Sequence, residues 1–170
     1  KGLDREKLFL TSKADDGHLA KDRLQTACEE SLAKLGTDYL DLYLVHWPNE
    51  DIPLAETLQV MQQLVEKGLV RSVGVSNFNV EWLRQGLQVS SVPICNLQIE
   101  YHPFTPRREL PELCRKEDIS ITAYCPLARG KVFTNRTIRR VAEETGKSPA
   151  QVSLRWLVQT RRDRLTPWLA

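Results

Sequence analysis

Short apolar runs alternate with helical patterns along the chain, and this alternation limits the possible folds more than any other feature. Five runs have the length of buried strands, and they cover residues 8–11, 41–46, 71–75, 95–100 and 120–124. Their starts are separated by roughly 24 to 33 residues, the length of one strand–helix unit. Because a strand that follows a helix returns parallel to the previous strand, the pattern predicts a parallel sheet with right-handed crossovers.

The segments between these runs carry apolar residues at helical spacing. Helices are predicted around residues 24–35, 54–65, 82–87, 110–114, 138–142 and 152–157. Gly36, Gly68 and Gly146 follow three of these segments, as expected where a helix ends. Asn79 and the pair Ser148-Pro149 are suited to begin two others.

Two α/β architectures fit this order of elements. One is a doubly wound open sheet, and the other is part of a TIM-type (β/α)8 barrel. Side chains able to do chemistry fall at or just past the ends of successive strand candidates, namely Lys13, His46, Ser76, Asn77, Gln98 and Tyr124. The carboxyl ends of the strands form the rim on which a barrel assembles its active site, whereas the periodicity alone leaves both architectures open.

Composition excludes several functional classes. The chain has 41% hydrophobic and 27% charged residues and a formal net charge of +2, so no nucleic-acid partner is expected. Its apolar runs are far too short for a membrane span. Neither the four cysteines nor the three histidines have the spacing of a metal site. Cysteines in apolar stretches indicate reduced thiols, and with them a cytoplasmic location.

His46 and Lys13 each end a strand candidate, and each permits two interpretations. A neutral imidazole at His46 could donate a hydrogen bond to a substrate carbonyl oxygen, or backbone carbonyls could simply satisfy the ring. Lys13 could be a solvated strand end, or a charge that perturbs the pKa of a titratable neighbour. Trp47 beside His46 could wall an apolar pocket or serve only in packing.

The pair Ser76-Asn77 offers side chains that both donate and accept hydrogen bonds, which suits a planar carboxamide. Gln98 has the same complementarity, and Tyr124 is able to stack on an aromatic ring. The alternatives are a helix N-terminal turn for Ser76-Asn77 and ordinary core for Tyr124. No Gly-x-Gly-x-x-Gly follows a strand candidate, so the dinucleotide fingerprint of an open sheet is missing.

Taken in order, five segments resemble the aldo-keto reductase family: residues 8–13, 38–48, 67–78, 98–103 and 121–127. The similarity runs collinearly from about residue 5 to about residue 158. The short loop after Trp47-Pro48 and the segment Leu127-Ala128-Arg129-Gly130-Lys131 look like the bacterial diketogluconate and methylglyoxal reductase branch. The resemblance implies a partial (β/α)8 barrel, roughly strands 3 to 7 with their helices.

The resemblance also implies a reaction, in which a hydride passes from NADPH to the carbonyl of a small aldehyde or ketone and a tyrosine delivers the proton. In the family this tyrosine belongs to a tetrad of Asp, Tyr, Lys and His. Lys13 matches the lysine, which lowers the pKa of the tyrosine, and His46 matches the histidine, which orients the carbonyl. Trp47 matches a wall of the substrate pocket.

The cofactor residues follow from the same resemblance. Ser76, Asn77 and Gln98 match residues that hold the nicotinamide carboxamide. Tyr124 matches the ring that stacks on the nicotinamide, and Leu127 lies in the segment that runs along the cofactor pyrophosphate.

The departures from the family pattern matter equally. The tetrad Asp and Tyr precede the segment that corresponds to residue 5, and none of the tyrosines 39, 43, 101 and 124 occupies the family position. Residues 161–170 form an atypical tail that matches no family motif. We therefore expect residues 1–170 to be one domain, a fragment of a barrel, with little or no turnover alone.

Two other functions stay open beside that of a reductase fragment. The chain could be a catalytically inactive truncated barrel that acts as a cofactor-binding or regulatory partner protein. An unrelated α/β nucleotide-binding module is disfavoured by the missing glycine-rich loop.

Overall fold

The computed structural model describes residues 3–105 and 108–159, which form a parallel α/β fold. Its five strands are β1 (Thr11–Ala14), β2 (Leu42–Val45), β3 (Val73–Ser76), β4 (Ile94–Glu100) and β5 (Ser120–Tyr124). They are hydrogen bonded in the order β1-β2-β3-β4-β5. A doubly wound sheet reverses its strand order at a switch point, whereas barrel strands follow one another in sequence. The order therefore favours the barrel, as the resemblance implied.

The described residues contain six α-helices, which alternate with these strands until the last two. They are α1 (Lys21–Leu35), α2 (Leu54–Glu66), α3 (Val80–Val89), α4 (Glu109–Lys116), α5 (Arg136–Thr145) and α6 (Pro149–Gln159). Short 3-10 helices lie at Arg5–Lys7, Asp16–His18 and Ala128–Phe133. No helix within the described ranges is long and apolar enough to cross a membrane. The tail predicted at residues 161–170 lies outside these ranges.

The predicted helix ends are confirmed by their capping bonds. The Asn79 side chain accepts a hydrogen bond from the backbone N–H of Trp82 at 2.8 Å, which caps α3. Ser148 and Gln151 cap α6 reciprocally, because each side chain accepts from the other's backbone N–H. Gly146 ends α5 in the left-handed conformation that favours glycine.

The position predicted for the first strand, residues 8–11, is wrong: β1 begins at Thr11. Other groups hold the preceding backbone. The Leu10 N–H donates to the Asp41 carboxylate at 2.9 Å, and the Leu8 carbonyl accepts from the Arg5 guanidinium at 2.8 Å. The Leu10 carbonyl oxygen accepts from the Asp41 and Leu42 N–H groups, and the parallel ladder with β2 starts at Thr11, which pairs with Leu42.

A charged cluster surrounds Asp41 at the residue that precedes β2. Arg5 contacts the Asp41 carboxylate at 2.9 Å and Arg71 contacts it at 3.3 Å, while the two guanidinium groups lie 3.8 and 3.9 Å from the centre of the Tyr39 ring. Burial acts to raise the pKa of Asp41, but the Leu10 N–H and the two arginines outweigh burial and hold it below its ordinary value.

The chain divides into two compact units, Lys1–Leu97 and Gln98–Ala170, with the boundary inside β4. In the first unit, β2 and β3 are buried along their whole length, as expected for a sheet covered on both faces. Gly74 in β3 faces Leu44 so closely that an added Cβ would lie 2.5 Å from the leucine Cδ2 and 2.7 Å from the Asn96 carbonyl oxygen. This glycine therefore sets how closely the strands pack.

The second unit has a core of its own. Ala128, Val132 and Ile138 form a buried apolar cluster against which Leu127 and Val152 pack. The hydroxyl of the buried Ser153 in α6 donates to the Pro126 carbonyl oxygen at 2.8 Å. This bond ties the segment after β5 to α6.

Candidate active site

The residues predicted to carry chemistry lie near the carboxyl ends of five strands. Lys13 is the third residue of β1, Ser76 ends β3 and Tyr124 ends β5. His46 follows β2 directly. Gln98 lies inside β4, two residues before its end, so its predicted position at a strand end is only approximate.

The pleat of the first unit puts three of these side chains on one face of the sheet. The Ser12 hydroxyl lies 3.3 Å from the Ser31 hydroxyl of α1, so Ser12 points outward to that helix. Lys13 therefore points to the opposite face, because neighbouring side chains alternate along a strand. Lys13 pairs with Leu44, and Leu44 faces Gly74.

His46 lies two residues after Leu44, and Ser76 lies two residues after Gly74. A separation of two residues returns a side chain to the same face. Lys13, His46 and Ser76 therefore share the inner face of the first unit. The sequence predicted these residues one by one, and the strand register brings them together.

Backbone and amide bonds hold this end of the sheet. The His46 N–H donates to the Ala14 carbonyl oxygen at 2.9 Å, which extends the β1–β2 ladder by one step. The Asn77 amide donates to the His46 carbonyl oxygen at 3.0 Å and to the Ser76 hydroxyl at 3.2 Å. Asn77 thus links the ends of β2 and β3 and fixes the backbone that carries the imidazole.

Asn77 makes these bonds from a left-handed backbone, with φ of 61°. Asparagine tolerates this conformation better than other residues with a Cβ. The neighbouring Ser76 is only 1% exposed, and a buried hydroxyl of this kind is normally hydrogen bonded. A polar pair held in this way presents donors and acceptors in a fixed geometry.

Asp15 is a charged neighbour of His46 that the sequence did not single out. It follows Ala14, whose carbonyl oxygen binds the His46 N–H, and its carboxylate accepts from the Asp16 N–H at 2.9 Å. Hydrogen bonds with the side chain and backbone of Asp16, together with the nearby His46 and His18 rings, lower the pKa of Asp15. No signal in the sequence marked this position, because the strand was predicted at residues 8–11 and β1 ends at Ala14.

Trp47 lies beside His46, and the residue is 46% exposed. The centres of the two rings are 6.2 Å apart, and their planes are tilted by 45°. An exposed indole next to the imidazole is suited to form an apolar wall for a bound molecule.

The second unit carries Tyr124 and Leu127, both partly buried, on a segment with unusual backbone geometry. Cys125, Ala128 and Arg129 all have φ near +50°, although none is a glycine. Such conformations cost free energy and cluster at functional sites. Leu127 packs on the apolar core described above, which keeps this strained segment in place.

Three tyrosine side chains are engaged in packing. Tyr43 pairs with Ser12, which points outward, so Tyr43 points outward as well. It is fully buried, and burial raises the pKa of its hydroxyl well above the ordinary value. Tyr39 lies between two guanidinium groups, outside β2. Tyr101 is 4% exposed and packs on Trp156.

The profile of the aldo/keto reductase family matches residues 2–167. The chain belongs to this family. Among curated relatives of this aldo/keto reductase chain, the glyoxal reductase of Bacillus subtilis is 39% identical over 93% of the chain and 57% of the relative. The methylglyoxal reductase DkgB of Yersinia pestis is 37% identical over 93% of the chain and 60% of the relative.

A solved structure is also similar to this aldo/keto reductase chain. The aldo-keto reductase of Klebsiella pneumoniae in complex with NADPH matches with a TM-score of 0.83 and 34% identity, over 91% of this chain and 57% of that one. The resemblance to the family and its diketogluconate and methylglyoxal reductase branch is thereby confirmed, as is the partial barrel. The chain spans 57% to 60% of the length of these proteins.

Proposed function

We propose that this chain forms the catalytic face of an NADPH-dependent reductase that converts small aldehydes or ketones to alcohols. The observation that carries the proposal is the inner face shared by Lys13, His46 and Ser76 at the ends of three consecutive strands. The names of the two relatives, glyoxal reductase and methylglyoxal reductase, support a small 1,2-dicarbonyl as substrate.

His46 binds the carbonyl oxygen of the substrate in this proposal. Its backbone is bonded on both sides, to Ala14 and to Asn77, so the main chain that carries the imidazole is already held in place. A ring N–H aimed at the carbonyl oxygen stabilises the negative charge that develops there. Lys13 adds a positive charge on the same face, and Trp47 shields one side of the substrate from water.

The residues fit a nicotinamide cofactor. Ser76 and Asn77 form a buried hydroxyl and an oriented amide, the donor and acceptor set that a carboxamide requires. We assign the carboxamide to Ser76, Asn77 and Gln98, ring stacking to Tyr124, and pyrophosphate contacts to the segment of Leu127. Bound NADPH supplies the hydride that reduces the carbonyl carbon.

The proton donor is the part of the machinery that we do not assign to this chain. Tyr39, Tyr43 and Tyr101 are committed to packing, and burial makes the Tyr43 hydroxyl a poor acid. General acid catalysis contributes about 10²–10⁴-fold in rate. We therefore expect the 170-residue chain to bind NADPH but to reduce carbonyls at most slowly.

Binding of NADPH to the purified chain tests the cofactor assignment. We expect NADPH to shift the backbone amide NMR signals of Ser76 and Asn77, and Asn77→Gly to weaken binding about tenfold, the loss of one or two hydrogen bonds. Glycine is chosen because it accepts the positive φ that alanine would not. Asn49→Ala is the matched control, since the described bonds of the Asn49 side chain, to the Asp16 carbonyl oxygen and from the Asp51 N–H, involve no residue assigned to the cofactor. No shift at millimolar NADPH would refute the assignment.

Turnover of methylglyoxal by the same purified chain tests the assignment of the proton donor. We expect NADPH consumption close to the background rate, and a large gain when a segment that carries the family's Asp and Tyr is joined before residue 1. Rapid reduction by the chain alone contradicts the assignment. Binding without any gain in the extended protein favours the regulatory, non-catalytic alternative.

A further inference from the structure

A groove between α5 and α6 lies in the second unit and is lined by residues to which no catalytic or cofactor role was given above. Its floor is formed by Ile138 and Val141 of α5 and by Val152 and Trp156 of α6. The cavity volume is about 510 Å³, within the range of small-molecule sites. We propose that this α5–α6 groove binds an aliphatic monocarboxylate, with the hydrocarbon chain on the floor and the carboxylate at the rim.

The floor is preformed. Gly146 ends α5, and the reciprocal bonds of Ser148 and Gln151 begin α6, so the turn between the helices is short and fixed. Trp156 packs on the Tyr101 ring, with 5.4 Å between ring centres, which holds the indole as a wall. A rigid apolar floor costs a ligand little ordering free energy on binding.

The charged residues at the rim of the groove indicate which charge a ligand should carry. Of the described residues that line the groove, the charged ones are Lys147 and Arg155, and both are cationic. Neither makes an ion pair with another residue in the described ranges 3–105 and 108–159. The acidic Glu144 of α5 is bonded instead to Arg140, at 3.4 Å.

Two of the neutral polar side chains that line the groove, Thr145 and Gln151, are engaged in local bonds. The Thr145 hydroxyl donates to the Val141 carbonyl oxygen at 2.6 Å, and the Gln151 side-chain oxygen accepts from the Ser148 N–H. The two cations are therefore the strongest anchors for a ligand at the rim, and they select a negative head group. A carboxylate bonded to arginine or lysine forms a stronger hydrogen bond than a neutral group does.

Decanoate is the probe that tests the proposal, and decan-1-ol is its uncharged counterpart. We expect decanoate to bind the purified 170-residue chain saturably by calorimetry and to shift the methyl NMR signals of Val141 and Val152. The double variant Lys147→Gln with Arg155→Gln should bind decanoate at least tenfold more weakly, and its affinity for decan-1-ol should stay unchanged. Arg139→Gln, which removes an α5 cation outside the groove, is the matched control.

Three results would overturn the proposal. The first is that decan-1-ol binds as tightly as decanoate, or that decanoate binds equally well to the double variant. Either outcome shows that Lys147 and Arg155 do not select a negative head group. Decanoate binding at least tenfold more tightly after deletion of residues 160–170 makes that segment the occupant of the groove. A dimer in sedimentation that decanoate dissociates makes a second copy the occupant. Because NADPH binding is measured separately, failure here leaves the reductase proposal unaffected.

Discussion

Substitution of Gly74 by alanine directly perturbs the layer beneath the candidate active site. The new Cβ would lie 2.5 Å from the Leu44 Cδ2 and 2.7 Å from the Asn96 carbonyl oxygen. The leucine side chain is able to rotate away, but the carbonyl belongs to the backbone of β4. Relief therefore requires a shift of the strands by several tenths of an ångström, and such overpacking costs about 1–3 kcal/mol.

The size of this destabilisation is measured as the change in the free energy of unfolding, with urea and with heat, by circular dichroism. For a chain of this length, each kcal/mol corresponds to a fall in Tm of roughly 2–4 °C. We expect Gly74→Ala to lower the urea midpoint with an unchanged slope, because the surface exposed on unfolding stays the same. Adding Leu44→Ala should restore none of the loss, because it leaves the contact with the Asn96 carbonyl and creates a cavity of its own.

Two other glycines provide controls. A Cβ at Gly17 would meet nothing within 4 Å, so Gly17→Ala should change the free energy of unfolding by less than about 0.5 kcal/mol. At Gly86 in α3 the nearest atom is the flexible Ile94 Cδ1 at 3.2 Å, and alanine raises helix propensity by about 1 kcal/mol. Gly86→Ala should therefore be neutral or stabilising. Equal stability of Gly74→Ala and Gly17→Ala would refute the reasoning from backbone contact.

The remaining predictions concern buried polar groups. Asp41→Asn removes the charge that binds Arg5 and Arg71 and should lower the free energy of unfolding at pH 7 by about 1–3 kcal/mol. The pKa of Asp41 is lower in the folded protein than in the unfolded chain, so the Asp41 charge stabilises the fold at pH values above the unfolded-state pKa. This stabilisation is lost as the pH falls through the folded-state pKa. The urea midpoints of variant and wild type should therefore converge in acid. Tyr43→Phe deletes a buried hydroxyl that has no well-formed hydrogen bond within the described residues, with the Ser31 hydroxyl as its polar neighbour. It should be neutral or stabilising by about 1 kcal/mol, and a loss above about 1 kcal/mol contradicts this.

The sequence predicted the number and type of the elements because helix ends and strand lengths depend on local chemistry. Asn79 and Ser148 cap their helices as predicted, since an N-cap needs only residues within three positions. The start of β1 was missed because it depends on Asp41, about thirty residues away, whose carboxylate binds the Leu10 N–H. Contacts that are remote in sequence leave no periodic signal in one segment.

The candidate site was predictable as a set of residue types but not as a set of neighbours. β2 and β3 are buried on both faces, so their sequences lack the alternation that would distinguish an inner from an outer side. One outward contact, from Ser12 to Ser31 of α1, shows which side of β1 is the outer one. The strand register then places His46 and Ser76 on the inner side. The same register turns Tyr43 outward. The face that carries Lys13 and His46 thus receives no tyrosine from β2, which is the structural reason to seek the proton donor elsewhere.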